Sequence, residues 1–460
     1  MTTETDIKAE VILHIGTMKS GTSYIQAILR RNEKLLSRDG VLAPHSIVPA
    51  VVDALGRRGS TKKERVVEGA WGRFLNSAEA WEGQTVLLSQ EFLSAASASE
   101  AQGVIDTLPK GQVRVVITNR DLLRVIPSHW QTVVKNGATW PFPEYVRMLL
   151  EAPGKDGSEH RYSRGFWRHH DVAKIVDNWA GAVGADNVVL VTVPRSGAPS
   201  DLLWQRFCEA IGLDGTHYDH DSKKKSNISL TYAETEMLRE VNMRVRKTLE
   251  PVEYKRIVNK YLANKLLRKP PEAGKEVDRP ILGAESHATV QQRADEMVEG
   301  LAASGVRIVG DIEDLRVAPY AGDPEAVDST APQNRIPDSV PQALAKLVLR
   351  IARLERNVDS SRKVLDGSAA SSAESPRAGG RKGGRKSASG GRQGGGGGGR
   401  RGGEGGGGGG RGARKAARRA AQSAAAQSAA AQSTRDVDDF DDFEATAYEG
   451  GEHEDEPTED

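Results

Sequence analysis

Residues 11–15, Val-Ile-Leu-His-Ile, run into Gly16-Thr-Met-Lys-Ser-Gly21 and then into an amphipathic stretch that opens at Thr22. A buried strand that turns through glycine directly into a helix leaves several N-terminal N–H groups unpaired and converging. The helix dipole adds to them, so the turn predicts an anion pocket suited to phosphate. Lys19 projects a cation into it, Thr22 and Ser23 offer hydroxyl donors, and Gly16, Ser20 and Gly21 shape the loop. A join of this kind belongs to a sheet with helices on both faces.

The rest of the chain fits that class. Residues 85–89, 113–118, 188–193 and, more weakly, 306–309 are compact apolar runs, and helical patterns such as 22–36 and 171–183 lie between them. Near-continuous apolar strands alternating with helices predict an α/β fold, a parallel sheet flanked by helices. Ser200-Asp201 offers an N-cap for a helix through Ile211, with Gly212 after its end. Residues 229–269 read as mostly helical, broken at Pro251.

These signals predict a flexible N-terminus over 1–9, a globular domain over 10–320 and a Pro/Asp-rich linker over 321–340. Residues 341–366 follow as a short helix, in which Leu344, Leu347, Ile351, Leu354, Val358 and Leu365 keep a 3-4 spacing, with Ser361 a weak point. That is about three heptads, the lower limit for a coiled coil. Self-association through 341–366 and a helix folded back on the domain both remain open. The Gly/Arg- then Ala/Gln/Ser-rich segment 367–435 and the acidic 436–460 are poor in large apolar residues, so a disordered tail is expected. The Arg/Gly-rich part suits contact with a polyanion.

Lys and Arg number 64 against 63 Asp and Glu, so no whole-chain charge argument for a partner applies. One cysteine, Cys208, excludes an internal disulfide framework and reads as a buried thiol on a helix. No run nears the ~18 apolar residues of a transmembrane segment, and no apolar signal core follows Met1, so a cytoplasmic location is expected.

The lysine position discriminates among phosphate loops. A nucleotide-triphosphate loop carries lysine after its second glycine, whereas Lys19 precedes Gly21 by two residues. Residues 113–118 also lack a closing aspartate to hold magnesium. The string Leu-His-Ile-Gly-Thr-Met-Lys-Ser-Gly-Thr-Ser-Tyr-Ile-Gln resembles the 5′-phosphosulfate loop of PAPS-dependent sulfotransferases, the bacterial branch above all. The resemblance covers about residues 10–320. It implies PAPS (3′-phosphoadenosine 5′-phosphosulfate) as donor, no metal, and a hydroxylated acceptor such as a carbohydrate, glycolipid or small metabolite. Arg120, after the run 113–118, and Ser128, eight residues on, resemble the family's 3′-phosphate site.

Sulfuryl transfer is an in-line displacement, and Lys19 is suited to neutralise the charge that builds on the leaving oxygen. Glu91, just past 85–89, resembles the glutamate base of one branch of the family; an N-capping or salt-bridged carboxylate is the alternative. Where the cytosolic enzymes place a tryptophan to stack on adenine, this chain has Tyr24, whose other reading is a core side chain. The family's Arg-Lys-Gly segment has no clean counterpart; Lys223, Lys224 and Lys225 are candidates for its work, the other reading being a solvated run. His14 reads as packed, His129 as near the cleft, and His169 and His170 as acceptor-side or surface residues. Two other functions stay open: a small-molecule kinase with the same kind of loop, and a polyanion-binding scaffold driven by the tail.

Overall fold

The computed structural model describes residues 7–45, 47–57, 67–151, 161–221, 230–267, 279–329 and 339–373. The three lysines at 223–225 and the tail beyond 373 lie outside the described residues.

The described chain forms an α/β fold around a six-stranded sheet of order β2-β3-β1-β4-β5-β6. The strands are β1 (Glu10–His14), β2 (Val41–Leu42), β3 (Thr85–Ser89), β4 (Val113–Asn119), β5 (Val188–Thr192) and β6 (Arg307–Val309). Every neighbouring pair is parallel. In register, His14 lies beside Ser89 of β3 and Val116 of β4.

Alternation along the strands divides the core. Val11, Leu13, Val86, Leu88, Val115, Ile117 and Leu190 pack on one face with Val172, Val176 and Trp179 of the helix Val172–Val183. Ile12, Leu87, Val116, Val189 and Val191 point to the other, against Ile25 and Ile28 of the helix Thr22–Arg31 and Trp204 and Phe207 of the helix Leu202–Ile211. Burial on both faces explains why the strands are apolar without alternation, each large side chain contributing about 1.5–3 kcal/mol. The helix Leu202–Ile211 has Asp201 at its N-cap, without a side-chain capping hydrogen bond, and Gly212 in the left-handed region after its end. Burial pushes the Cys208 thiol up to about 12, so it is a packing group rather than a nucleophile.

The segment past Leu230 is a capped helix, Tyr232–Val245, then a turn at Pro251–Tyr254 and a π-helical stretch, Lys255–Leu267. No helix among the described residues is long and apolar enough to cross a membrane. A separate compact unit begins at Arg350, part-way along the helix Ser339–Ala373.

Candidate functional site

Because β3, β1 and β4 are adjacent and parallel, whatever follows their C-terminal ends lies along one edge of the sheet. The glycine loop follows β1, Glu91 comes two residues after β3, and Arg120 comes directly after β4. In open parallel sheets this edge, where strands depart to opposite sides, is where ligands bind.

Buried hydroxyls pin the loop to β4. The Thr17 N–H donates to the Thr118 carbonyl, and Thr17 Oγ1 donates to Asn119 Oδ1 at 2.9 Å. Ser20, fully buried, donates to the Thr17 carbonyl and lies 2.8 Å from Thr118 Oγ1. With its hydroxyl so engaged, Ser20 offers a ligand its backbone. His14 bridges Ser89 Oγ (2.8 Å) and Thr118 Oγ1 (3.1 Å), tying three strands together beneath the loop.

Backbone conformation sets the loop's shape. Gly16 and Gly21 have φ of 94° and 88°, and Lys19, at 61°, is the one non-glycine with positive φ among the described residues. Gly21 is the N-cap of the helix Thr22–Arg31 and supplies no side chain to it. The helix start therefore has no side-chain cap, which suits its first N–H groups, those of Thr22 and Ser23, to an anion; the Tyr24 N–H already donates to the Gly21 carbonyl. Thr22 is buried and Ser23 exposed. Tyr24 is half-buried against the Trp204 core and donates to the Ser200 carbonyl at 3.3 Å.

Glu91 opens a 3-10 turn, Glu91–Ala95, that lies on the loop: a Cβ added to Gly16 would stand 2.9 Å from Glu91 Cβ. Only glycine at 16 permits that approach. Gln26, from the first helix, donates to Glu91 Oε2 at 3.0 Å and to the Ser89 carbonyl at 3.2 Å. The carboxylate is thereby held beside the loop, and the N-cap of its turn is Gln90.

At the other end, Asp121 caps the helix Leu122–Lys135 and pairs with Arg124. Arg120 Nε is buried with no hydrogen-bond partner. Burial lowers its pKa to about 10, with Arg124 and Arg279 adding repulsion and Asp121 opposing, so it stays cationic at neutral pH. Arg279, which no sequence signal marks, joins the positive field at Arg120. Ser128 lies half-buried in the second turn of the same helix.

The structure excludes the surface reading of two histidines. His169 and His170 are buried, neither on the surface, and His170 stands against His129, ring centroids 5.5 Å apart. His129 Nδ1 meets the Tyr145 hydroxyl at 2.5 Å, and His169 Nδ1 lies 3.4 Å from Ser94 Oγ in the turn that carries Glu91. Burial above all holds these imidazoles neutral, and the positive charge of Lys19 lowers all three further. The sequence pair His-His gives no sign of this, because the helix Arg161–His170 turns both rings inward. No group of metal-ligating side chains suited to an ion forms among the described residues.

The histidines make stability depend on pH. His14 and His169 are lowered to about 3, and His129 and His170 lie well below the usual value. An unfolded chain binds protons at these sites near pH 6.5 while the native one does not, so stability is full above that pH and falls on acidification. For His14 and His169 the loss is about 1.4 kcal/mol each per pH unit below 6.5, and His129 and His170 add to it in the same direction. The urea midpoint is expected to drop steeply between pH 7 and 5.5; a flat midpoint there contradicts neutral burial.

No family model matches the chain, and no curated protein matches it. Among solved structures, a sulfotransferase from Alicyclobacillus acidocaldarius is similar over 46% of this chain and 84% of its own, at 16% identity and a TM-score of 0.31. A likeness that slight carries no argument about activity.

Proposed function

We propose that the protein is a PAPS-dependent sulfotransferase acting on a hydroxyl of a carbohydrate, glycolipid or other small metabolite. The observation that carries this reading is the row of groups along one sheet edge: Lys19 on an amide-lined loop, Glu91 packed over Gly16, and Arg120 with a buried, unpartnered Nε. An activated sulfate donor with phosphates on the 3′ and 5′ positions of its ribose calls for two separate anion pockets, and Arg120, with its unpartnered Nε and Arg279 adding positive charge, suits the second.

In this reading the donor supplies a sulfuryl group on a good leaving group. The backbone of residues 16–23 holds the 5′-phosphate, with the hydroxyls of Thr22 and Ser23 adjoining, and Tyr24 borders the nucleoside. Arg120 and Ser128 hold the 3′-phosphate. Lys19 steadies the negative charge on the departing oxygen. Glu91 takes the acceptor's hydroxyl proton onto a carboxylate oxygen, and Gln26 keeps that group aimed. Trp140 and Tyr162 form a partly exposed aromatic pair, 4.4 Å between centroids, suited to the flat apolar face of a sugar.

Adenosine 3′,5′-bisphosphate is expected to raise the melting temperature of the full chain, by an amount that grows with its concentration, while Mg-ATP does not. Arg120→Ala should weaken the bisphosphate about 10- to 100-fold, the size of a lost charge-assisted contact. Stabilisation by Mg-ATP alone contradicts the sulfotransferase reading and favours the kinase.

A further inference from the structure

The helix Ser339–Ala373 carries an apolar row that the fold leaves in water. Leu347, Ile351, Leu354 and Val358 are 56%, 36%, 52% and 64% exposed. On the same helix Ala345 and Val348 are buried, so the exposed row is a different face from the one already covered. Four large apolar side chains left uncovered in one line call for a partner.

Their identities say which partner. The row steps by four, three and four residues, the spacing of alternate a and d positions in a heptad. Leu344, Ile351 and Val358 then take a, and Leu347 and Leu354 take d. β-branched residues at a with leucine at d favour two parallel strands. The same register puts Arg350 at g and Glu355 at e. In a parallel, in-register pair, g of one helix faces the e position five residues on in the other. Arg350 of each copy thus meets Glu355 of its mate, and the two-fold axis repeats the attraction. An antiparallel pair sets g against g and loses both contacts.

We infer that two copies of this chain pair through this helix as a parallel, in-register dimer, its seam formed by Leu347, Ile351, Leu354 and Val358. The helix is long enough: it runs to Ala373, and the sequence extends the seam through Ser361 and Leu365. The inference is independent of the proposed sulfuryl transfer, since none of its residues belongs to the sheet edge.

Sedimentation equilibrium of the full chain tests it. A dimer is expected at about 100 μM chain, and it should persist in about 1 M salt, where surface charge pairs are screened but an apolar seam is not. Ile351→Asp with Leu354→Asp should weaken association at least about 100-fold and leave the melting of the globular domain unmoved. Arg350→Glu should weaken it about tenfold, and adding Glu355→Arg should restore it. Leu347→Cys should give a disulfide-linked dimer on mild oxidation, because d positions face each other only in the parallel register; the wild-type chain, whose Cys208 is buried, should not. A monomer at every concentration overturns the inference. So does a dimer that dissolves in salt, which points to the oppositely charged tail segments. A dimer that survives the double aspartate change overturns it as well, as does a Leu347→Cys protein that forms no disulfide on oxidation.

Discussion

Lys19→Ala is expected to lower the turnover of sulfuryl transfer about 10²- to 10³-fold, the cost of removing one preorganised charge from a developing anion. Alanine suits the test because of the backbone. Lys19 sits at φ 61°, where any Cβ is disfavoured, and alanine keeps the Cβ that lysine has. Loop strain is therefore nearly the same in both proteins, and the difference reports the ammonium group. Turnover within about threefold of wild type would place the leaving-group charge elsewhere.

Glu91→Gln is expected to cost about 10²- to 10⁴-fold in turnover, the range for loss of a general base. The substitution keeps the side chain's size, so its packing over Gly16 survives, and an amide oxygen can still accept from Gln26. Bisphosphate affinity should stay within about twofold, which separates a proton-transfer defect from a collapsed loop. A Glu91→Gln protein whose turnover stays within about threefold of wild type would falsify the assignment.

Much of the sheet edge was legible because its elements are buried on both faces, which forces uninterrupted apolar runs. Residues 85–89 coincide with β3, and the runs beginning at 113 and 188 coincide with β4 and β5 to within a residue at their ends. The two-residue β2 shows no periodicity at all, so it could not be read. Contacts set by chain crossings were equally hidden. The close approach of Glu91 to Gly16 depends on the register of β3 against β1, and no local spacing encodes it. His169 and His170 look like a polar pair at a helix end, and only the helix's docking beside the 3-10 turn buries them. Arg279 lies far along the chain and reaches the field of Arg120 through tertiary structure alone.

The left-handed backbone at Lys19 bears on how this position evolves. A residue with a Cβ gives up about 1 kcal/mol in that region, where glycine gives up almost nothing. Folding alone favours glycine here, whereas the proposed sulfuryl transfer favours a cation. Position 19 is then a point of conflict between thermostability and activity. A variant library ranked only by melting temperature would discard the ammonium group first.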